Sequence, residues 1–304
     1  MFYRWKTRRA RERFHRLTAG IMDTPPMPVV DAPWTIVSLF YKCDAQTLQM
    51  FLLAIKSLYA RLKRGKIVLI VERDFPSAMR RTLEQHLPGI GFTVFEDIDT
   101  GACQHGGTWE RLLYLLDRSR DEYVIQLDSD TLAFGPDVDE VARCAEANIP
   151  FTLGNAGKPI APMLNVVEEA RGIDSDYIGI AVERVFDRWV GAEALKYVRA
   201  SSAFCGFARG GFSRAGIEQF HREGARLLGP RWTEWGTEQS ASSYAIANSP
   251  GAVVLPYPKY ANFWPGLVRG NSSFLHFLGS HRYLDDYFAT LGQGVIAELN
   301  RGGK

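Results

Sequence analysis

The sequence has little of several things, and each shortage narrows the reading. Among 304 residues there are only four cysteines, Cys43, Cys103, Cys144 and Cys205, and no two form a Cys-x-x-Cys pair. Thiols so spread out read as reduced and mostly buried, as in a cytosolic protein. Long hydrophobic runs are missing: WTIVSLF (34–40) is typical, far short of the about 20 residues that cross a bilayer. No charged segment leading into an apolar core opens the chain, so no secretory signal is read. Internal repeats and low-complexity tracts are absent, and no glycine-rich basic loop follows the first expected strand. The formal charge is +2, too small a global field to call for nucleic acid. The expectation is a soluble, cytoplasmic protein.

What is present suffices for a large core: 46% of residues are hydrophobic and 12% aromatic. Residues 1–16 depart from the even charge balance, with Lys6 and six arginines against the single acid Glu12. Read as a helix over 2–17, this arm puts Tyr3, Ala10, Phe14 and Leu17 on one face and arginines around the rest. Such a helix would make weak contact with an anionic membrane surface, at the inner face of a membrane. A simple basic arm is the plainer reading. TPPMPVVDAP (24–33) then reads as a proline-rich linker to the folded body.

Beyond it, strands and amphipathic helices alternate. WTIVSLFY (34–41), KIVLIVE (66–72), GFTVFED (91–97) and YVIQL (123–127) read as strands, and 45–63, 77–87 and 108–119 as helices. Continuous apolar strands alternating with helices predict an α/β fold with a parallel sheet covered on both faces. The second half is less regular, with a helix expected over 179–195 and a glycine-interrupted stretch at 202–212.

The segment DEYVIQLDSDTLAFGP (121–136) ends a buried strand on two carboxylates, Asp128 and Asp130, one residue apart. Ligands in parallel α/β sheets bind beyond the carboxyl ends of the strands, so the pair falls on the functional edge. Two carboxylates so close repel and lose solvation unless a cation compensates them. An oxygen-rich site without thiolates suits Mg²⁺ or Mn²⁺, completed by water and substrate phosphate. An ordinary solvated turn is the alternative for these residues taken alone.

Strand, Asp-x-Asp and short hydrophobic return resemble the metal-binding motif of glycosyltransferases of the GT-A fold. FLHFLGSHR (274–282) is similar to the H-x-x-G-x-x-K element of the glycogenin/galactosyltransferase-like group, family 8, with Arg282 at the lysine position. WGTEQSASSYAIAN (235–248) resembles that family's Asp-Gln helix start, with Glu238 and Gln239 in its place. LPYPKYANFW (255–264) is similar to its L-P-x-x-Y-N stretch, although Ala261 separates Tyr260 from Asn262. The resemblance runs in order from Trp34 to Arg282.

It implies a GT-A-like, Rossmann-type domain over 31–304 that follows a basic extension and linker over 1–30. Residues 31–150 would form its nucleotide-binding half, and 151–304 an irregular half that completes the metal site and faces the acceptor. Asp128, Asp130 and His276 would hold Mn²⁺ or Mg²⁺. Arg282 and Gly279 would meet the diphosphate, with Asp128 and Ser129 also near the donor. Arg111, about seventeen positions before the first aspartate, matches a basic residue of the family. The base or ribose would rest near Phe40, Tyr41, Glu72 and Asp74.

The implied activity is transfer of a sugar from a nucleotide-diphosphate donor, a UDP-sugar, to an acceptor hydroxyl on a glycan, a lipid-linked glycan or a protein. Glu238 and Gln239 are the expected catalytic pair. Glu238 as general base would give inversion, while the resemblance favours retention. Residues 204–212 would line the acceptor side. Three other readings compete. A dehalogenase-type phosphatase wants Thr or Val where this chain has Leu132, a nucleotidyltransferase wants the missing phosphate loop, and a binding protein of the same fold would have lost catalysis.

Overall fold

The computed structural model describes residues 2–40 and 44–302. In chain order, α1 (Phe2–Leu17) leads to β1 (Trp34–Leu39), α2 (Ala45–Leu62), β2 (Lys66–Val71), α3 (Ser77–His86) and β3 (Gly91–Val94). Next come α4 (Trp109–Arg118), β4 (Tyr123–Leu127), β5 (Thr131–Ala133), α5 (Asp139–Glu146), β6 (Phe151–Gly154) and β7 (Ala161–Pro162). The chain continues through α6 (Met163–Arg171), α7 (Ile178–Glu183), β8 (Lys196–Tyr197), β9 (Ala200–Phe207), α8 (Arg214–Leu228) and α9 (Thr237–Ala247). It ends with β10 (Val253–Val254), β11 (Tyr260–Phe263), β12 (Phe274–Phe277) and α10 (Tyr287–Gly302). The expected α/β class is what the structure shows: a mostly parallel seven-stranded sheet flanked by helices.

The chain divides into two compact units and passes between them repeatedly. The first holds the chain up to Val94, Leu127–Ala142 and everything from Pro256 on; the second holds Phe95–Gln126 and Arg143–Leu255.

In the first unit β1 pairs in parallel with β2 (Ile36↔Ile67) and β2 with β3 (Leu69↔Phe92). β1 is buried along Trp34–Ser38 because both faces of the strand are covered, and Trp34, Ile36 and Val37 supply its apolar contacts. Asp44 caps α2 by accepting from the Thr47 amide at 2.6 Å. Within that helix even Lys56 is buried; its ammonium donates to the Thr24 hydroxyl and the Pro25 carbonyl, both at 2.7 Å. Met27 and Val29 amides donate to the His86 and Pro88 carbonyls at 2.9 and 2.8 Å. The proline-rich stretch is therefore strapped to the body, not a free linker. A second sheet of the same unit, β11-β12-β5, carries the site described below.

Helix α1 also belongs to this body. Phe14 packs on Tyr283 and Phe288 with ring centroids 5.4 and 4.6 Å apart, and Arg11 pairs with Asp44 at 2.8 Å. The apolar face proposed to meet a membrane is thus already covered at Phe14, while Arg8, Arg9, Arg13 and Arg16 are exposed. His15, beside Phe14, is buried, and neither ring nitrogen meets a hydrogen-bond partner among the described residues. Gln49 donates instead to the His15 carbonyl (2.7 Å) and the Thr18 hydroxyl (2.8 Å). Burial, reinforced by Arg11 and opposed by Asp44, pushes the imidazole down to about 4. The folded chain then refuses a proton that the unfolded chain accepts, so stability falls as pH drops from the ordinary histidine value of about 6.5 toward about 4. Urea midpoints at pH 7 and pH 5 should show a smaller acid loss for His15→Leu than for the parent chain. Equal losses would mean that α1 is not docked through a neutral imidazole.

In the second unit β6 runs antiparallel to β9 (Thr152↔Cys205) and parallel to β10 (Phe151↔Val253). Of residues 204–212, expected to line the acceptor side, 204–207 instead finish β9, a strand buried along its whole length, while Arg209 and Gly210 beyond it are exposed. A Cβ on Gly206 would stand 2.2 Å from the Tyr123 hydroxyl oxygen and 2.5 Å from the Phe151 ring, so this glycine serves close packing. The helix expected over 179–195 ends at Glu183 because Phe186 and Trp189 turn inward. Trp189 stacks near Phe220 (4.7 Å between centroids), and Gly191, at φ 77°, lets the chain reverse.

Candidate metal and nucleotide site

The site of the first unit is assembled by short strands on either side of the Asp-x-Asp turn. Ser38 of β1 donates to the Leu127 carbonyl at 2.6 Å and fixes where β4 ends. The Asp128 carbonyl then accepts from the Thr131 amide (3.3 Å) and hydroxyl (2.7 Å), closing the turn that presents Asp128, Ser129 and Asp130. Antiparallel pairing of β5 with β12 sets Thr131 opposite His276, and parallel pairing of β12 with β11 sets Asn262 beside His276. The Asp130 carbonyl accepts from the Phe277 amide at 2.8 Å, so the backbone itself holds the aspartate against the histidine strand.

These pairings gather Asp128, Asp130 and His276, whose ligand atoms all lie within 4.8 Å of one another. His276 Nδ1 donates to the Asn262 carboxamide oxygen at 2.8 Å, which turns Nε2 toward the aspartate turn. That nitrogen faces Asp130 Oδ1 at 3.5 Å. A cation placed between the two would be held by both. Ligands of an octahedral Mg²⁺-type ion stand about 3 Å apart, close to this spacing. The other Asp130 oxygen accepts from Arg282 Nη2, and Arg282 Nε donates to the Phe277 carbonyl at 3.2 Å. Burial alone would raise the Asp130 carboxyl, but His276 and Arg282 beside it hold it below the usual carboxylate range. The donor set, two carboxylates and an oriented imidazole without thiolate, fits Mn²⁺ or Mg²⁺.

A separate polar cluster lies in the second unit. Glu238, 2% exposed, accepts at Oε2 from Thr108 (3.0 Å), Arg111 (3.1 Å) and Ser202 (3.2 Å), and at Oε1 from Ser242 (2.9 Å). Arg111, singled out as a donor contact, is buried as the partner of this carboxylate. Both residues were singled out separately, and the structure brings them together. A carboxylate that already takes four hydrogen bonds has its lone pairs engaged within the protein, as an anchor of α9 would. Gln239, the next residue, is half-buried, and its Nε2 lies 3.5 Å from the Tyr177 hydroxyl.

With the geometry in hand, comparison with known proteins gives one positive result. No protein-family model matches the chain, and no curated protein matches it. Its fold is similar to solved glycosyltransferases. The bifunctional glycosyltransferase WbbM in its apo form is 15% identical over 83% of this chain, with a TM-score of 0.48, and the match spans only 46% of WbbM. Mouse xyloside xylosyltransferase 1, apo, is 11% identical over 83% of this chain and 99% of its own, at a TM-score of 0.47. Galactosyltransferase LgtC, solved with donor and acceptor sugar analogues, is 12% identical over 85% of this chain and 95% of its own, at 0.44. At these identities the likeness is one of fold.

The remaining expected donor contacts fare unevenly. Phe40 is fully buried, edge-on to Phe51 (6.0 Å) and Phe75 (5.6 Å), and so belongs to the core rather than to a base pocket. Tyr41 and Cys43 lie outside the described residues. Glu72 is half-buried and Asp74 exposed in the turn after β2, closed by the Phe75 amide on the Glu72 carbonyl at 3.0 Å. A Cβ on Gly279 would meet no protein atom within 4 Å, and its φ lies outside the left-handed range. Neither packing nor backbone strain explains this glycine, which leaves room for a ligand. Asn262, the partner of His276, is the candidate residue that sequence reasoning missed. The Tyr260–Asn262 spacing contained the signal, but only the β11–β12 register reveals what the carboxamide does.

Proposed function

We propose that this chain is a metal-dependent glycosyltransferase that moves a sugar from a nucleotide-diphosphate donor, a UDP-sugar, to an acceptor hydroxyl with retention of configuration. The observation that carries the reading is the Asp128–Asp130–His276 group, with Asn262 orienting the histidine and Arg282 bonded to the outer Asp130 oxygen. Sugar leaves its nucleotide through an oxocarbenium-like state while negative charge grows on the diphosphate. A divalent ion held by the triad would supply Lewis-acid stabilisation of that charge. Arg282 adds a fixed guanidinium beside the same position, and the open backbone at Gly279 lets phosphate approach closely.

Asp128, Ser129, Glu72 and Asp74 are the proposed contacts to ribose and base. Gln239 is the proposed partner of the reacting sugar, since Glu238 is taken up by Arg111. With the Glu238 oxygens engaged by Arg111 and its neighbours, retention is the proposed outcome. No described helix is long and apolar enough to cross a membrane.

The test is a thermal-shift series with UDP and GDP, each with Mn²⁺, Mg²⁺ or EDTA. A nucleotide at about 100 times its dissociation constant stabilises the folded chain by about 2.7 kcal/mol. A shift with UDP that EDTA abolishes, followed by slow release of sugar from a UDP-sugar, is the expected result. No metal-dependent shift with either nucleotide would overturn the reading. Binding without any turnover would mark a binding protein.

A further inference from the structure

The first unit carries one large aromatic side chain in an unexpected place. Trp264 follows β11 directly, two residues beyond Asn262, and is 47% exposed. Side chains two apart on a strand share a face. Phe263, between them, points the other way, its ring 5.3 Å from that of Phe277. Trp264 therefore shares the face on which Asn262 bonds His276. The parallel register Asn262↔His276, Phe263↔Phe277 sets Leu278, itself 36% exposed, alongside Trp264 at the same sheet end. The next residue along β12's chain is Gly279, and Arg282 follows three later.

The indole is also held in place. The Leu267 amide donates to the Trp264 carbonyl at 3.0 Å, closing a turn with Pro265 and Gly266 at its centre. A Cβ on Gly266 would stand 1.9 Å from Cζ3 and 2.1 Å from Cη2 of the indole, so the ring lies directly on the glycine backbone. Nearly half of the residue is nevertheless exposed. An aromatic ring braced against its own turn and half open, one residue beyond the strand that carries Asn262, has the form of a binding surface rather than of a core residue displaced outward.

We propose that Trp264, with Leu278 beside it, is a stacking shelf for a pyranose ring. This rests on the proposed glycosyltransferase reading. A sugar ring presents an apolar C–H face to an aromatic plate and keeps its hydroxyls in water at the rim, which suits a half-exposed indole. A nucleobase is the competing flat ligand. The order β5-β12-β11 places Trp264 after the strand farther from the aspartate turn, whereas the proposed ribose and base contacts are in that turn and after β2. The pyranose belongs either to the donor or to an acceptor, and the test separates the two.

Affinities of UDP, UDP-glucose and UDP-galactose with Mn²⁺ are measured by calorimetry on the parent chain, Trp264→Ala, Trp264→Phe and Gly266→Ala. Saturation-transfer NMR on the UDP- and Mn²⁺-bound protein then probes methyl glucosides and methyl galactosides. The expected result is unchanged UDP affinity in Trp264→Ala, together with a loss in one arm. A donor ring gives about tenfold weaker UDP-sugar binding, and an acceptor ring gives lost saturation transfer to the methyl glycoside. Trp264→Phe keeps most of the effect. Gly266→Ala, which displaces the ring without deleting it, loses it. Equal weakening of UDP and UDP-sugar would identify a nucleobase contact and overturn the proposal, as would unchanged behaviour in both arms. Absence of metal-dependent UDP binding in the parent chain would sink the underlying reading, and the shelf with it, before any variant is compared.

Discussion

Asp130→Asn is expected to abolish the metal-dependent stabilisation by nucleotide, with a loss of metal affinity of more than about 100-fold. The asparagine keeps the size of the side chain and an oxygen for Arg282, but removes the charge that faces His276 Nε2 and would meet the ion. Fold stability will also fall, because Arg282 loses its carboxylate while remaining largely buried, so binding must be compared below the variant's own melting temperature. Asn262→Ala provides a graded control. It touches no ligand position, yet it frees the imidazole to rotate or to change tautomer, and loss of such an orienting partner costs about 10–100-fold in metal affinity. A ranking of Asp130→Asn below Asn262→Ala below parent, read from Mn²⁺ titrations followed by thermal shift, is the predicted pattern. Undiminished Mn²⁺-dependent binding of nucleotide by Asp130→Asn would refute the metal assignment.

The parts of this site that were legible in the sequence are those whose signal is local. Residues 34–39, 66–71 and 123–127 read as buried strands because apolar, mostly β-branched and aromatic side chains dominate them, and Asp128 and Asp130 stand out by following one of them. The His276–Gly279–Arg282 spacing was legible as a motif. Parts that depend on which strand pairs with which were not. Asn262 acquires its role from the β11–β12 register, and nothing within ten residues of it reveals that the carboxamide will meet a histidine. Phe40 was misjudged for a similar reason. A residue at a strand end can face the ligand or the core, and Phe51 from α2 and Phe75 after β2 decide for the core.

Glycines misled in one direction. FCGFARGGF reads as a loop, but Gly206 sits in a buried strand where any side chain would collide with Tyr123 and Phe151. At Gly279 an added Cβ would meet no protein atom within 4 Å. Composition cannot distinguish a glycine that makes room for a neighbouring ring from one that makes room for a ligand; only the surroundings of the missing Cβ do. The basic arm shows a similar limit. Its helix was legible over 2–17, but its docking through Phe14 depends on Tyr283 and Phe288, which are brought in from the far end of the sequence.

Arg111→Met alone, and Glu238→Gln alone, are each expected to destabilise the fold by about 3–5 kcal/mol, because each leaves the other member of a buried pair without its counter-charge. The two are 127 residues apart in sequence, and each side chain is at most 5% exposed. Combining the substitutions removes both charges, and the double variant should therefore recover much of the loss, since a buried ion pair replaced as a pair is often nearly neutral. Urea unfolding of the four proteins measures this coupling. The same series separates the anchoring role of Glu238 from the catalytic one. A general base replaced by its isosteric amide would fold like the parent and fail only in turnover, whereas an anchor loses stability first and regains it when Arg111 is neutralised too. Parent-like stability of Glu238→Gln with turnover destroyed would return Glu238 to the reaction and reopen inversion. The expected outcome, instability that Arg111→Met relieves, leaves the chemistry to groups that are not already spent on holding α9 in place.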